Sequence, residues 1–174
     1  IALGPAYIKF GQLLSTRPDI VGADLANELK VLQDSLDPFP TAEAKKIVNE
    51  ELGSPVESIF SSFSDSVAAA SIAQVHKATV KETKELVAVK ILRPNVEKVF
   101  LKDLAALLFL AKFIEFIIPS FRRLKPTEVV NHFERLVREE LDLRMEISAA
   151  AEFAENTKSD RNFYVPKVIW SLSG

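Results

Sequence analysis

A single lysine at the end of an apolar stretch is the residue of this sequence best suited to chemistry. The stretch Val87-Ala88-Val89-Lys90 is typical of a β-strand buried on both faces, and such a strand carries a charge only where another group receives it. We expect Glu140 to be that group. It lies three residues after Val137 in a predicted helix over 127–143, so it continues the apolar stripe of that helix toward the core.

A pair between Lys90 and Glu140 has two interpretations, which the residues alone leave open. A buried carboxylate without a partner would cost several kcal/mol, so the pair can be a structural element of the core. Buried ion pairs of this kind often take no part in a reaction. The functional interpretation is that the ammonium group binds phosphate, because a strand lysine paired with a helix glutamate holds the nucleotide phosphates in protein kinases.

A second set of polar residues indicates a second ion pair. Glu146 lies six residues after Glu140, and this spacing points the two carboxylates in different directions around a helix. Lys9 and Gln12 are three residues apart in a predicted N-terminal helix, so their side chains share one face. That face is the candidate partner of Glu146. The alternative is a solvated polar edge, which is the commoner environment of Lys and Gln on helices.

Composition and charge exclude several classes of function. With 174 residues and 48% hydrophobic content, the chain is long enough for one core and a small appended segment. Its 22 basic and 24 acidic residues give a net charge of −2, so nucleic acid is not an expected partner. It has no cysteine, which excludes disulfides, thiolate metal sites and cysteine nucleophiles. The two histidines, His76 and His132, lack metal-ligand spacing, so no metal site is expected.

The pattern of apolar residues divides the chain into a helical extension over 1–59 and a mixed domain over 60–174. Helices are predicted over about 5–16, 23–33 and 42–52, strands over 61–64, 71–79 and 86–92, and further helices from 127 to 156. A strand-like stretch, Val168-Ile169-Trp170, follows. Because the chain begins at Ile1 and stops soon after this stretch, we expect it to be a fragment of a longer protein.

A long apolar helix is predicted over about 96–118, inserted after the third strand. Its longest uncharged run, Leu104 to Ala111, is far shorter than the roughly 20 residues that cross a bilayer. Apolar residues nevertheless surround the helix axis. A core helix is the favoured interpretation. The alternative is a membrane- or lipid-facing patch, with Arg122, Arg123 and Lys125 beyond its end to meet anionic headgroups.

Glycine is absent between Gly53 and Gly174. Loops that cradle phosphate need glycine, because their backbone approaches the anion closely and adopts positive φ. Neither a P-loop nor an ordinary kinase glycine-rich loop can therefore form there. The place between the first two strands is filled by Ala68-Ala69-Ala70-Ser71. Alanine disfavours positive φ, so a nucleotide bound there would be held in a tighter or altered pose.

These pieces together resemble the UbiB-type family of atypical kinases, which supports the synthesis of ubiquinone and related quinone lipids and has mitochondrial and plastid relatives. The matching motifs are Lys9-Phe10-Gly11-Gln12 (the KxGQ motif), Leu14 to Asp19 behind it, the alanine-rich loop Ala68 to Ser71, the lysine strand Val87 to Lys90, and Glu140-Leu141-Asp142 (the ExD motif). Each motif alone is a weak signal, but five in this order are a strong one, and the match covers nearly the whole chain. The chain looks most like a proteobacterial member.

The resemblance implies an α+β fold, the small lobe of a protein kinase. This lobe consists of a small antiparallel sheet and the helix called αC in kinases, here with an N-terminal helical extension and without the large lobe. It also implies a nucleotide site in which Lys90 contacts the phosphates and pairs with Glu140. The other residues that it places at the nucleotide are Ala68, Ala69, Ala70, Ser71, Val75 and Ala88.

The same resemblance gives Lys9, Gln12, Asp142 and Glu146 a regulatory role. It implies that the KxGQ lysine and glutamine reach over the substrate cleft and bond near Glu146. A cleft covered in this way disfavours ordinary protein phosphorylation.

The cofactor implied by the resemblance is ATP or ADP with Mg²⁺. The implied partners are adenine nucleotide, a membrane lipid or quinone precursor, and other quinone-biosynthesis proteins. The implied location is the cytoplasmic face of the bacterial inner membrane, with the mitochondrion or plastid as the alternative.

The residues that complete kinase chemistry would all lie beyond Gly174: the catalytic-loop aspartate and asparagine and the metal-binding aspartate. The 174-residue chain is therefore expected to hold no catalytic residue and to transfer no phosphate by itself. The alternative function is a catalytically inactive, membrane-associated module that binds lipid or regulates a partner and keeps a kinase-like shape.

Overall fold

The structure, a computed structural model, describes residues 4–31 and 37–173. Its helices are α1 Pro5–Ser15, α2 Pro18–Val21, α3 Ala23–Leu29, α4 Thr41–Leu52, α5 Val56–Ile59, α6 Val96–Ile117, α7 Pro126–Leu141 and α8 Leu143–Asn156, with short 3₁₀ turns at Pro119–Leu124 and Trp170–Leu172. Its strands are β1 Phe60–Ala69, β2 Ala73–Val80 and β3 Leu86–Leu92. The helix predicted over 23–33 ends at Leu29, and its positions 32 and 33 lie outside the described residues.

The three strands form one antiparallel sheet in the order β1-β2-β3. Strands β2 and β3 pair without interruption from Ala73 opposite Leu92 to Thr79 opposite Leu86. The pairing of β1 with β2 contains three register shifts, and each of them places an extra residue in β1. The regular pair β2–β3 is therefore the part of the sheet that can hold side chains in a fixed spacing, and β1 is its irregular edge.

The first strand is longer than the sequence pattern predicts. It continues to Ala69, because the backbones of Ala68 and Ala69 pair with Val75 and Gln74 of β2. Half of the predicted alanine-rich loop is therefore strand, and residues 70–72 alone form the turn between β1 and β2.

The sheet has one packed face and a second face that is open along residues 86–90 of β3, while Ala73 and Leu92 at its end pack into the cluster around Phe100. Side chains alternate along β3, so Val87 and Val89 pack toward α4 and α5 while Ala88 and Lys90 are exposed on the opposite side. The prediction that the stretch 87–90 is buried on both faces is therefore wrong. Its apolar composition comes from two valines on one face and a small alanine on the other.

Two clusters of buried apolar residues hold the helices in place. The first joins α1, α6 and α7 around Phe100, and the rings of Phe10 and Phe133 lie 5.1 Å apart between centroids. The second places α4 and α5 against the packed face of the sheet. Helix α6 therefore packs one face into the core, as the favoured interpretation requires. Along the described ranges, no helix is both long and apolar enough to cross a membrane.

The helical run predicted from 127 to 156 is broken at Asp142. This residue has a non-helical backbone with φ −92° and ψ 89°, and its side chain accepts a hydrogen bond from the backbone N–H of Arg144. It therefore acts as the N-cap of α8. The break redirects the chain between Glu140 at the end of α7 and Glu146 in the first turn of α8.

The strand-like stretch Val168-Ile169-Trp170 does not form a strand. It leads into the 3₁₀ turn Trp170–Leu172, and Ile169 and Leu172 pack against the second cluster. Packing of Ile169 without backbone pairing accounts for part of the apolar character of the stretch, whereas Trp170 is 57% exposed.

The assignment of the faces of α6 predicts the effect of two matched substitutions. Phe100 is 1% exposed at the contact of α6 with the first cluster, so Phe100→Ala should lower the free energy of unfolding by about 3–5 kcal/mol. Phe109 lies on the same helix but is 71% exposed, so Phe109→Ala should change it by less than about 0.5 kcal/mol. Urea unfolding followed by circular dichroism measures both. Equal losses in the two variants would contradict this assignment.

Candidate functional site

Four of the predicted nucleotide contacts share the open face of the sheet. Ala68, Val75 and Lys90 lie opposite one another on β1, β2 and β3. Ala88 lies two residues before Lys90 and therefore points to the same side. The sheet thus presents a strip of small apolar side chains that ends in an ammonium group.

The ammonium group of Lys90 binds Glu146. Its Nζ lies 2.5 Å from Oε2 of Glu146 in the first turn of α8, and the two side chains are 38% and 56% exposed. The predicted pair between Lys90 and Glu140 is therefore wrong. The partner comes from the following helix, because the break at Asp142 directs α8 toward the sheet.

Glu140 instead binds Lys9 of the N-terminal extension. The Nζ of Lys9 lies 2.9 Å from Oε2 and 3.2 Å from Oε1 of Glu140, whose side chain is 47% exposed. The core position that was predicted for Glu140 is taken by Leu141, which follows Val137 by four residues and packs against the first cluster. Gln12, one turn after Lys9 on α1, is partly buried. The expected partners of the two glutamates are thus exchanged: the extension is tied to α7 and the sheet is tied to α8.

Asp142 fixes the start of the helix that carries Glu146. Its Oδ1 accepts hydrogen bonds from the backbone N–H of Arg144 at 3.1 Å and from Nε at 2.9 Å, and its Oδ2 accepts one from Nη2 at 3.0 Å. The hydrogen bonds from the Arg144 side chain hold the pKa of Asp142 below its ordinary value. The carboxylate is therefore ionised at neutral pH and caps α8, while its regulatory role stays a prediction.

The turn over residues 70–72 is held by an arginine that no sequence motif marked. The N–H of Ala70 donates to the carbonyl of Ala73 at 2.8 Å, and the carbonyl of Ala70 accepts a hydrogen bond from Nε of Arg93 at 2.9 Å. The backbone N–H of Arg93 donates to the carbonyl of Ile72 at 2.8 Å. Ser71 between them is fully buried. The turn is thus anchored to the end of β3.

Two buried polar side chains on β2, Gln74 and His76, were also not identified as functional candidates from the sequence. The Gln74 amide accepts from the N–H of Phe39 at 2.9 Å and donates to its carbonyl at 3.1 Å, and its nitrogen lies 2.8 Å from Nε2 of His76. This orientation makes Nε2 an acceptor, so Nδ1–H donates to the carbonyl of Ser64 at 2.9 Å. The sequence did contain a signal that these side chains are buried. Gln74 and His76 are two residues apart, so they share one face of the strand with the apolar Ala78.

The residues on the open face fit a nucleotide by their chemistry. The Lys90 ammonium can bind phosphate oxygens, and Val75 and Ala88 offer a small apolar surface to a flat base. Within the residues that the structure describes, no group of three or more His, Asp or Glu side chains could hold a metal ion. The nucleotide contacts themselves, including those of Ala69, Ala70 and Ser71, stay predictions.

Comparison with known proteins gives a consistent result. The sequence profile described as "ABC1 atypical kinase-like domain" matches residues 31–174. A relative named "Probable protein kinase UbiB" from Pseudomonas aeruginosa strain LESB58 is 45% identical over 169 residues, which are 97% of this chain and 32% of that protein. Proteins of the same name from Cellvibrio japonicus and Marinobacter nauticus are 42% and 41% identical over 172 residues, which are 98% of this chain and 31% of each relative. The chain thus spans about a third of the length of the curated relatives that it matches.

The lowered pKa of Asp142 predicts a pH-dependent contribution to stability. Asp142→Asn keeps an oxygen that can cap α8 but removes the charge that binds Arg144. Because the folded-state pKa is lowered, the ionised form stabilises the fold above the ordinary carboxyl pKa of about 4, and this contribution is lost as the pH falls through the lowered value. The unfolding midpoint of the wild type should therefore exceed that of the variant at pH 7, with a difference that shrinks below about pH 4.

Thermal melts of both proteins from pH 7 downward measure this difference. Glu152→Gln is the matched control, because Glu152 is an exposed carboxylate on the same helix. The control should melt like the wild type at each pH. A wild-type advantage over Asp142→Asn that stays constant across the range would contradict a charge-dependent cap.

Proposed function

Because the chain belongs to the ABC1 atypical kinase-like family, we propose that its sheet and α8 form the nucleotide-binding small lobe of an atypical kinase or ATPase. The nucleotide is ATP or ADP, with Lys90 at its phosphates and Val75 and Ala88 at its base. The observation that carries this proposal is the pair between Lys90 and Glu146. When bound with Mg²⁺, ATP would supply the phosphoryl group.

The pair supports the proposal by its position as well as by its charges. In protein kinases the lysine lies on the third strand and the glutamate on helix αC, and both must be in place for the phosphates to be held. Here Lys90 lies on β3, and Glu146 lies on the capped first turn of α8. Glu146 orients the ammonium group over the open face, where the phosphates of a bound nucleotide would lie. Helix α8 therefore takes the role of αC.

The pair between Lys9 and Glu140 supports a regulatory role for the extension. It joins α1, which carries the KxGQ motif, to the end of α7, only two residues before the cap of α8. We infer that Lys9 and Gln12 hold the extension across the substrate cleft. A covered cleft disfavours ordinary protein phosphorylation and favours either ATP hydrolysis or transfer to a small molecule.

For the whole protein we propose a role in the synthesis of ubiquinone or a related quinone lipid. The support is the motif order and the similarity to proteins named "Probable protein kinase UbiB". A quinone precursor or membrane lipid and other quinone-biosynthesis proteins would then be its partners. Its place would be the cytoplasmic face of a bacterial inner membrane.

The outer face of α6 favours a second function, association with a membrane surface. Large apolar side chains on this face are exposed to solvent: Phe109, Leu110, Phe113, Phe116, Ile117 and, in the following 3₁₀ turn, Phe121. Arg122, Arg123 and Lys125 come directly after them. An exposed apolar face next to basic residues suits the boundary between acyl chains and anionic headgroups. This surface is compatible with an active kinase and also with an inactive lipid-binding module.

Three substitutions test the nucleotide site and separate the two glutamates. Lys90→Met should weaken the binding of ATP and ADP by at least about tenfold, because the phosphates lose their cation. Glu146→Gln should weaken binding in the same direction but less, since it loses only the orientation of Lys90. Glu140→Gln is the matched control. It should leave nucleotide affinity within about twofold of the wild type, because it breaks only the ion pair with Lys9 and leaves the pair between Lys90 and Glu146 intact.

Titration of each full-length variant with a fluorescent ATP analogue measures these affinities. A larger loss in Glu140→Gln than in Glu146→Gln would contradict the pairing on which the proposal rests. Wild-type affinity in Lys90→Met would exclude this nucleotide site.

Vesicle flotation tests the membrane surface. Phe113→Glu combined with Phe116→Glu should remove the full-length protein from vesicles that contain anionic lipid, because two charges would enter the apolar layer. Tyr164→Glu is the control, since Tyr164 is 91% exposed on another segment. Equal flotation of the double variant and the wild type would exclude this face of α6 as the membrane contact.

A further inference from the structure

We propose that Arg93 is a positioning residue for the nucleotide. Its side chain joins the turn over residues 70–72 to a linker segment of the extension, residues 37–39. Through this connection the extension would set how firmly the turn holds a nucleotide. The inference rests on the proposed nucleotide site, and it adds to that site a residue and a route of regulation.

Arg93 contacts the turn through two of its own groups. Its Nε donates to the carbonyl of Ala70 at 2.9 Å, and its backbone N–H donates to the carbonyl of Ile72 at 2.8 Å. These two carbonyls flank Ser71, which is fully buried. Since both peptide groups are engaged, the turn cannot rotate its carbonyls without breaking hydrogen bonds to Arg93, which directly follows β3.

The other side of the same guanidinium contacts the linker segment. Its Nη2 donates to the carbonyl of Asp37 at 2.9 Å, and its carbon lies 6.0 Å from the centroid of the Phe39 ring. The guanidinium is planar and carries its donors in a fixed fork, so a carbonyl bound at Nη2 and a carbonyl bound at Nε keep a fixed relative position. One side chain therefore spans the turn and the linker segment.

Gln74 holds the linker segment to the sheet at a second point. Its amide bonds both the N–H and the carbonyl of Phe39, and it is completely buried beside His76. Opening this contact would leave several buried polar groups unpaired, which costs much more than an exposed contact does. The linker segment is thus a fixed support against which Arg93 holds the turn.

The position of the turn explains why its stiffness would matter for a nucleotide. The turn begins two residues after Ala68, which lies in one row with Val75 and Lys90 across the open face. In protein kinases the loop between the first two strands covers the phosphates. A loop that is already held in its binding shape loses less conformational freedom when the ligand enters, so its affinity is higher.

Hydrogen exchange of the full-length protein tests the connection without depending on activity. Arg93→Met keeps a long side chain and the backbone donor to Ile72 but removes the side-chain donors to Ala70 and Asp37, so the amides of residues 70–73 should exchange roughly tenfold faster. Exchange in 75–79, where β2 and β3 pair regularly, should not change. The affinity for a fluorescent ATP analogue should fall severalfold. Arg93→Lys should restore neither the slow exchange nor the affinity, because one ammonium group cannot span the carbonyls of Ala70 and Asp37.

Two further variants make the test specific. Phe39→Leu alters the linker segment and keeps its backbone, so it should speed exchange at 70–73 in the same direction as Arg93→Met but to a smaller extent. Arg161→Met is the matched control, since Arg161 is exposed on another segment and its loss should change neither exchange nor affinity.

Exchange at 70–73 that is unchanged in both Arg93→Met and Phe39→Leu would overturn the connection. Faster exchange with unchanged nucleotide affinity would overturn the positioning role. If the wild type binds no nucleotide at all, the proposed function fails, whereas the exchange rates still decide whether Arg93 holds the turn. If Arg93→Met does not fold, the exchange and affinity of Phe39→Leu decide both points.

Discussion

The break at Asp142 is the constraint on which the site depends. In one continuous helix, the helical repeat alone would set the directions in which the side chains of Glu140 and Glu146 point. The non-helical backbone of Asp142 removes that restriction, and its carboxylate satisfies the N–H of Arg144 that the new helix would otherwise leave unpaired. As a result, one glutamate binds α1 of the extension and the other binds β3 of the sheet.

The regular parts of the fold were predictable because local pattern and burial agree in them. Strands β2 and β3 lie within about two residues of their predicted bounds, and α6 follows the long apolar run. The first strand was predicted too short, since its polar serines and its alanines do not alternate, and its end is set by pairing with Val75 and Gln74. The stretch at 168–170 shows the opposite error, because it forms no ladder: Ile169 packs against the second cluster while Trp170 is 57% exposed.

The candidate site was predictable in its members and not in its contacts. Lys90, Glu140, Glu146 and Lys9 all form ion pairs, but the partners were exchanged because the helical period was extended across a break. The sequence did contain a signal for that break, since aspartate is unfavourable inside a helix and favourable as an N-cap. Arg93 gave no such signal. Its role depends on three segments that are distant in sequence and meet only in the folded chain.

The exposure of the pair between Lys90 and Glu146 limits what this pair can do for the protein. With Lys90 38% and Glu146 56% exposed, each charge keeps much of its hydration, and pairs of this kind contribute at most about 1 kcal/mol to stability. The fold must therefore be held by the two apolar clusters and by the buried network around Gln74. A weak, half-exposed pair is well suited to a binding site, because the exposed ammonium group can bind an incoming anion while Glu146 still orients it. The strong contacts instead lie behind the sheet, where they fix the frame from which Lys90 extends.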